Sequence, residues 1–352
     1  MITNIIEPEL IEQLRRHINR AHHIVITCHR GPDGDAIGST LAWCRFLRKL
    51  GHEAYVVTPD VPPRSLRFLD EVRTMAPYTV QPDVVRRRVA EADLIFCLDF
   101  NALYRIDQLG DEVKQSRARR ILIDHHEEPD DIFDLRLSFP DLSSTCELVF
   151  RVILQMGLVR MIDAQIAQDL YLGMMTDTGN FTHENSRSPE LYEIVAILLR
   201  RRFDKSWIYK MAMNTHSEAY LRIQGYALAH KMQLFPERGA ALITLSQEEL
   251  QRYNYQRGDT EELVNRPLAI PGIRICMMMR QDEDHVKVSA RSEGDIDVNT
   301  ICRTHYAGGG HFNAAGGDVT TTLDEAVAVF MDKILPNLPL VTPTPESTNQ
   351  QQ

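Results

Sequence analysis

Acidic and histidine side chains of this chain occur in four short, strongly patterned stretches. They are H-R-G-P-D-G-D (His29, Asp33, Asp35), L-D-F (Asp99), I-D-H-H (Asp124, His125, His126) and M-T-D-T-G-N-F (Asp177). Each of the first three follows an apolar run that predicts a buried strand. Because the carboxyl ends of parallel strands face one crevice, we expect these distant side chains to converge there.

Carboxylates joined by a few imidazoles, with no thiolate, are a ligand set for divalent cations. Carboxylate dominance favours Mn²⁺ and allows Mg²⁺. Four clustered aspartates (Asp33, Asp35, Asp99, Asp177) would repel one another unless cations neutralised them. Paired cations serve in-line displacement at phosphorus. An isolated aspartate after a strand, or Asp-Gly-Asp alone, is ordinary turn chemistry, whereas the pair His125-His126 is harder to explain as structure. It is the joint occurrence of the four stretches that predicts a two-cation phosphoryl-transfer site.

Composition restricts the classes of protein and of partner. The chain has 352 residues, 43% of them hydrophobic and 25% charged, with a formal net charge of −10, which suits a globular protein of two domains. The acidic balance argues against a protein that grips long duplex nucleic acid. No apolar run approaches the ~20 residues of a membrane helix. The six cysteines are scattered without a C-x-x-C pair, which favours a reduced, cytoplasmic protein.

Strands alternate with helices in the first half of the chain, which predicts βαβ units and a parallel sheet. The second part predicts a smaller α/β domain. There, IRICMMMR and HVKVSARS form an antiparallel pair around Q-D-E-D, a helix covers Val298 to His305, and Gly316-Gly317 form a tight turn. We expect domains at 1–202 and 233–336, a helical linker at 203–232 and a disordered tail at 337–352.

These motifs, in this order, resemble the DHH phosphoesterase superfamily. Asp124-His125-His126 matches its name-giving motif, and A-G-G-G-H around Gly309, Gly310 and His311 resembles the signature of its DHHA1 substrate-binding domain. The resemblance extends to about residue 335 and is nearest to the nanoRNase branch. It implies an N-terminal DHH domain with a parallel-type sheet flanked by helices, a C-terminal DHHA1 domain with a mixed sheet, and an active site in the cleft between them.

The resemblance also implies a role for each residue. His29 and Asp33 would hold one Mn²⁺, Asp35, His125 and Asp177 the other, and Asp99 would bridge them. Asp124 would orient its neighbours, and His126 would contact the scissile phosphate or assist the leaving oxygen. The substrate contacts implied for the second domain are Arg291, Ser292, Asn299, Gly309, Gly310 and His311. Arg105, six residues after Asp99, either faces the crevice or forms a surface ion pair.

The implied function is hydrolysis of short oligoribonucleotides to 5′-mononucleotides by a water that two cations activate, together with 3′-phosphatase action on 3′-phosphoadenosine 5′-phosphate (pAp). The expected partners are short RNA or small nucleotides, without long duplexes or membranes, and the chain is a monomer or a homodimer. A stand-alone cyclic-dinucleotide phosphodiesterase is an alternative. A catalytically inactive nucleotide sensor is another, which the full set of motif residues disfavours. A family II pyrophosphatase is disfavoured because A-R-S-E replaces its lysine-containing motif.

Overall fold

The computed structural model describes residues 2–256 and 258–341. The chain divides into two compact units, Met1–Thr215 and His216–Gln352. Most of the tail that we predict to be disordered, residues 342–352, lies outside the described residues. The predicted linker at 203–232 contains helical segments that belong to both units.

The first unit consists of one sheet and eight α-helices among its described residues. The strands are β1 (His23–Thr27), β2 (Glu53–Thr58), β3 (Ala76–Pro77), β4 (Leu94–Leu98), β5 (Arg119–Asp124) and β6 (Leu135–Ser138). The helices are α1 (Pro8–Arg20), α2 (Gly34–Lys49), α3 (Pro82–Glu91), α4 (Leu109–Gln115), α5 (Thr145–Gln155), α6 (Ala164–Asp177), α7 (Pro189–Leu199) and α8 (Lys205–Met213).

All strand pairings in this sheet are parallel, in the order β3-β2-β1-β4-β5-β6. The chain moves outward in one direction from β1 to β3 and in the other from β4 to β6. The sequence order therefore reverses between β1 and β4, and a crevice opens at their carboxyl ends. The prediction of a parallel sheet flanked by helices is confirmed.

Both faces of the sheet are buried, which explains why its strands are continuous apolar runs. Ile24, Ile26 and Phe96 point into the core on one face, where Trp43 of α2 packs against Phe96. The intervening residue Val25 belongs to the core on the opposite face. The pleat thus divides one short strand between two cores and fixes which way its end points.

The second unit has a mixed sheet in the order β11-β12-β10-β9-β8-β7, in which only β8 and β9 pair in parallel among the described strands. The strands are β7 (Met232–Phe235), β8 (Ala240–Leu245), β9 (Ile275–Gln281), β10 (Val286–Ser292), β11 (Gly309–His311) and β12 (Ala314–Val319). The helices are α9 (Glu218–Tyr226), α10 (Gln247–Arg252), α11 (Val298–His305) and α12 (Leu323–Val329). The predicted antiparallel pair and the helix at Val298–His305 are confirmed.

The interpretation of Gly316-Gly317 as a tight turn is wrong, because both residues lie inside β12. The glycines are needed there for close approach. A Cβ on Gly317 would lie 2.1 Å from the carbonyl oxygen of Tyr306, and one on Gly308 would lie 1.9 Å from the carbonyl oxygen of Gly316. The turn of this hairpin is formed instead by Phe312 and Asn313.

Candidate active site

Three of the four patterned stretches leave the sheet at its carboxyl edge. His29 follows β1, Asp99 follows β4 directly, and His125 and His126 follow β5. Asp99 has a φ of 63°, a backbone conformation that a non-glycine residue rarely adopts. Its amide donates to the carbonyl of Ile123 on β5 at 3.2 Å. Asp99 therefore forms the last hydrogen bond between β4 and β5 and also changes the direction of the chain.

The remaining acidic residues are contributed by α2 and α6. Asp33 is the N-cap of α2 and accepts the amides of Asp35 and Ala36, both at 3.0 Å. Asp35 lies in the first turn of α2, and Asp177 is the last residue of α6. A serine or aspartate cap of this kind starts a helix by accepting its unpaired amides.

Glycines let α2 and α6 cross closely enough to bring these carboxylates together. A Cβ on Gly38 of α2 would lie 2.4 Å from the carbonyl oxygen of Asp169 on α6. A Cβ on Gly173 of α6 would lie 2.6 Å from Oδ1 of Asp35. A larger residue at either position would push the helices apart.

The ligand atoms form three overlapping groups, in each of which all atoms lie within 4.8 Å of one another. The groups are His29 with Asp33 and Asp99, Asp35 with His125 and Asp177, and Asp99 with His125 and His126. Asp99 links them, since its Oδ2 lies 3.4 Å from Nε2 of His29 and its Oδ1 lies 3.6 Å from Nε2 of His125. Nε2 of His125 lies 3.5 Å from Oδ2 of Asp177. All six predicted ligands therefore gather at one place.

Each of the three histidines is held through its Nδ1 atom. Nδ1 of His29 lies 2.8 Å from the carbonyl of Arg30, and Nδ1 of His125 lies 3.3 Å from that of Leu142. A carbonyl oxygen only accepts, so Nδ1 carries the proton and Nε2 of the neutral ring offers its lone pair to the cluster. Such orienting bonds are typical of histidines that bind metals.

Asp124 holds His126 in the same manner, with Oδ1 at 2.7 Å from Nδ1. Asp124 is fully buried, and its Oδ2 has no hydrogen-bond partner among the described residues. A carboxylate in such a place is costly unless positive charge lies nearby. The arrangement places Asp124 behind the histidine rather than beside the other ligands.

Thr145, which the sequence patterns did not single out, fixes two of the ligands. Its amide donates to Oδ2 of Asp35 at 2.6 Å and its hydroxyl donates to Oδ1 of Asp99 at 3.0 Å. The amide of Cys146 donates to Oδ1 of Asp35 at 2.9 Å. These are the first amides of α5, whose N-cap is Ser144. Thr145 could have been found from the sequence D-L-S-S-T-C-E, which predicts the start of a helix. The unpaired backbone amides at a helix start attract carboxylates.

A buried ion pair supports this helix start from behind. Glu147 accepts the amide and the hydroxyl of Ser143 at 3.1 and 2.6 Å, and Arg151 lies 2.8 Å from Glu147. Arg151 also lies 2.8 Å from Glu190, which in turn accepts the hydroxyl of Thr3 at 2.6 Å. The segment that orients Asp35 and Asp99 is therefore fixed on both sides.

The electrostatics of the cluster are unbalanced without added positive charge. Burial raises the pKa of Asp35 well above its ordinary value, and the carboxylates of Asp99 and Asp177 add to this. Burial also disfavours charge on His29, but Asp33 and Asp99 outweigh it and raise the pKa of that imidazole. In Asp99 the histidines overcome burial and hold its pKa below the ordinary range.

The residues fit divalent cations on their chemistry. Within the described residues, no lysine or arginine forms an ion pair with Asp33, Asp35, Asp99 or Asp177, so only the histidines offset four carboxylates. The donors are oxygen and imidazole nitrogen, the set that Mn²⁺ and related ions accept. Divalent cations would supply the positive charge that this group of carboxylates lacks.

Arg105 lies in a one-turn 3₁₀ helix, Leu103–Ile106, directly after β4 and Asp99. Its carbonyl accepts the amide of Arg30 at 2.8 Å, which ties this turn to the loop of His29. The side chain is half-buried. Arg105 thus lies in the first unit beside the loops that carry the ligands.

Two of the residues predicted to contact substrate in the second unit are engaged in internal bonds. Ser292 donates its hydroxyl to the carbonyl of Ile296 at 2.6 Å and accepts from the amide group of Asn313 at 2.9 Å. Asn299 accepts the backbone amide of Gly310 at 2.9 Å through Oδ1. Both residues therefore brace the glycine-rich hairpin.

The other predicted residues of this unit lie on neighbouring strands. Arg291 is half-buried on β10, where one guanidinium nitrogen donates to the carbonyl of Ala290 at 2.9 Å. Gly309, Gly310 and His311 form β11, at the edge of the sheet. The side chain of His311 is exposed.

Comparison with known proteins agrees with this arrangement. The model of the DHH family, N-terminal domain, matches residues 23–174, and that of the DHHA1 domain matches residues 241–335. The "Bifunctional oligoribonuclease and PAP phosphatase NrnA" of Thermus thermophilus is 31% identical over 88% of this chain and 89% of its own length. The chain belongs to the DHH–DHHA1 phosphoesterase family.

Two further relatives of this DHH–DHHA1 protein cover nearly the whole chain. The protein of the same name from Bacillus subtilis is 27% identical over 91% of this chain and 96% of its own length. A crystal structure of an exopolyphosphatase-related protein from Bacteroides fragilis matches with a TM-score of 0.91 and 40% identity, over 94% of this chain and 96% of that one.

The name-giving motif of the DHH domain is Asp124-His125-His126, and the three residues have different surroundings. His125 faces Asp99 and Asp177, whereas His126 is bonded to Asp124. In the described part of the DHH and DHHA1 units, no helix combines the length and the apolar character that a membrane crossing needs.

Proposed function

We propose that the chain is a Mn²⁺-dependent phosphoesterase that hydrolyses short oligoribonucleotides to 5′-mononucleotides and removes the 3′-phosphate of pAp. The observation that carries this proposal is the set of three overlapping carboxylate and imidazole groups, which are linked through Asp99 and His125. Relatives named oligoribonuclease and PAP phosphatase, matched over most of the chain, support the choice of substrates.

In this proposal His29 and Asp33 would hold one cation, Asp35, His125 and Asp177 would hold the other, and Asp99 would serve both. The division follows the grouping of the ligand atoms. When bound, the two cations acidify a water molecule and stabilise negative charge on the phosphoryl oxygens. Thr145 and Cys146 keep the carboxylates of Asp35 and Asp99 in place while this occurs.

His126 is proposed to act on the substrate directly. Because Nδ1 is bonded to Asp124, Nε2 is the ring atom that would meet a phosphoryl oxygen or the leaving oxygen. The bond to Asp124 fixes the orientation of the ring, so that Nε2 can exchange a hydrogen bond or a proton with the departing nucleoside hydroxyl. His126 and Asp124 would therefore work as a pair.

Anion binding in the DHHA1 unit is assigned to Arg291 and to the strand Gly309–His311. The planar guanidinium group of Arg291 can donate two parallel hydrogen bonds to one phosphate. Glycines leave the backbone amides accessible to an anion. Asn299 and Ser292 are proposed to keep this region rigid through the bonds described above. Arg105 would add positive charge in the first unit.

The test is turnover of 5′-phosphorylated diguanylate (pGpG), pAp and cyclic di-AMP side by side, each with Mn²⁺ and with Mg²⁺. We expect pGpG and pAp to be hydrolysed and cyclic di-AMP to react more slowly. Faster reaction of the cyclic compound would favour the cyclic-dinucleotide phosphodiesterase. Binding without any turnover would indicate the inactive sensor.

Two variants and one control connect that turnover to the site. Asp124→Ala and His125→Ala should abolish hydrolysis while the protein still unfolds cooperatively. Asp83→Asn is the matched control, because the Asp83 side chain is 96% exposed on α3. Retained activity in either of the first two variants would contradict the assignment of the site.

We also propose that the chain works in the cytoplasm. All six cysteines are buried and unpaired, which suits a reducing compartment.

A further inference from the structure

One exposed aromatic side chain lies in the loop that follows Asp99. Tyr104 lies in the rim loop, which we define as residues 101–107 and which begins two residues after Asp99. Its exposed fraction is 73%, the highest of the large hydrophobic side chains among the described residues. Aromatic rings normally bury most of their surface in a core, so such exposure next to a site is informative.

The rim loop is fixed to the segments that carry the catalytic histidines. The amide of Arg30, the residue after His29, donates to the carbonyl of Arg105 at 2.8 Å. The side-chain amide of Asn101 donates at 2.7 Å to the carbonyl of Glu127, the residue after His126. The loop therefore connects the turns after β1, β4 and β5, and Tyr104 projects from a rigid base.

Two of the other exposed aromatic residues of the first unit have aromatic partners. Trp207 packs edge-on against Phe68 at 4.8 Å between ring centroids, and Tyr192 lies 6.0 Å from Phe181. The side chain of Tyr104 makes no hydrogen bond and no ring contact with any described residue. Its ring is thus available to a ligand.

We propose that Tyr104 stacks on a nucleobase of the substrate, next to the phosphate that the ligand cluster holds. This inference rests on the proposed function. Every base offers a flat π face, so one tyrosine can accept any base, as expected for an enzyme of short RNA without sequence preference. Arg105, the adjacent residue, places a cation on the same turn for the substrate backbone.

The first experiment measures stacking without turnover. The probe is a dinucleotide in which methylene replaces the bridging oxygen and 2-aminopurine replaces one base, prepared with the fluorophore at either position. Stacking on tyrosine should quench the fluorescence of one of the two probes when the Mg²⁺-loaded wild-type protein binds it. Tyr104→Phe should keep the quenching and Tyr104→Leu should lose it.

The second experiment measures steady-state kinetics on pGpG and on dinucleotides that lack one base. Tyr104→Leu should raise KM for pGpG by about tenfold, the size expected for one base–aromatic stack, with kcat within about twofold of the wild type. Removing the stacked base should raise KM of the wild type by a similar factor and leave KM of Tyr104→Leu unchanged. Tyr209→Leu on α8 is the control and should behave as the wild type.

Two outcomes would overturn the inference: equal quenching in the wild type and Tyr104→Leu, or equal sensitivity of both proteins to loss of either base. Failure of the proposed function would be recognised differently. In that case the wild type would leave pGpG intact, while the fluorescence comparison would still decide whether Tyr104 contacts a base.

Discussion

The ligand cluster of the DHH unit and the glycine-rich hairpin of the DHHA1 unit are built on opposite principles. In the cluster, most of the side chains are buried or half-buried, and neighbouring residues fix several of them, as Asp124 does for His126 and Thr145 for Asp99. In the hairpin, backbone predominates, and the polar side chains of Ser292 and Asn299 brace the turn. The cluster therefore depends on side-chain groups, whereas the hairpin depends on the conformation of its backbone.

This difference implies different sensitivities to mutation. Under the proposed function, a substitution in the cluster removes an atom that the reaction needs, whereas one in the hairpin changes a shape that neighbouring bonds also maintain. The predictions below test this contrast, beginning with the largest effect.

The largest effect is expected for Asp99→Asn, because the Asp99 carboxylate lies 3.4 Å from Nε2 of His29 on one side and 3.6 Å from Nε2 of His125 on the other. Loss of several kcal/mol of transition-state stabilisation corresponds to a decrease of kcat by about a thousandfold or more. Steady-state turnover of pGpG measures it, with thermal unfolding as the check on folding. A decrease of less than about tenfold would show that the shared carboxylate is dispensable.

Thr145→Val should have an intermediate effect, since it removes the hydroxyl that orients Asp99 but keeps the backbone amide that holds Asp35. Loss of a bond that orients a metal ligand typically costs 10–100-fold in metal affinity or activity, and we expect about that range. Calorimetric titration with Mn²⁺ measures the affinity. Thr145→Ser retains the hydroxyl and should restore most of it, whereas equal weakening by both variants would exclude the bond as the cause.

Two Gly→Ala variants distinguish the effect of close helix packing at the cluster from the effect of helix propensity on stability. Gly38→Ala places a Cβ 2.4 Å from a carbonyl oxygen, and the free energy of unfolding should fall by about 1–3 kcal/mol, with a loss of activity as α2 and α6 separate. Gly225→Ala, on α9 of the other unit, meets no atom within 4 Å and should keep or slightly raise stability. Urea unfolding compares them, and equal stability of the two variants would refute the close crossing.

The smallest effect concerns the support behind Thr145. Hydrogen bonds from Thr3 and Arg151 lower the pKa of Glu190 from 4.5 to about 2. The carboxylate therefore stabilises the fold fully above pH 4.5, and this contribution is lost as the pH falls towards 2. The unfolding temperature of the wild type should fall over that window more steeply than that of Glu190→Gln. Parallel curves for the two proteins would mean that Glu190 contributes nothing.

Much of this organisation could be predicted from the sequence, because local rules and the site agree. Apolar runs such as that before Asp99 predicted strands, and the strand ends placed His29, Asp99 and His125 at one edge. The limits of α11 agree with prediction, since Asp297 at its start is a clear N-cap signal.

What escaped prediction depends on contacts between distant segments. Thr145 is an ordinary helix-start residue until folding brings Asp35 and Asp99 against it. Gly316-Gly317 has the composition of a turn, and only the approach of Tyr306 shows why a strand needs two glycines there. Tyr104 carries no sequence pattern at all, and its significance comes from exposure beside the cluster.

The central claim is that one cluster, joined by Asp99, holds two divalent cations. Equilibrium dialysis of the full chain against Mn²⁺, with the wild type and Asp99→Asn in parallel, tests it most directly. We predict two Mn²⁺ per wild-type chain and weakened binding of both ions in Asp99→Asn. A wild-type chain that binds fewer than two ions, or an Asp99→Asn variant that binds two as tightly, would contradict the claim.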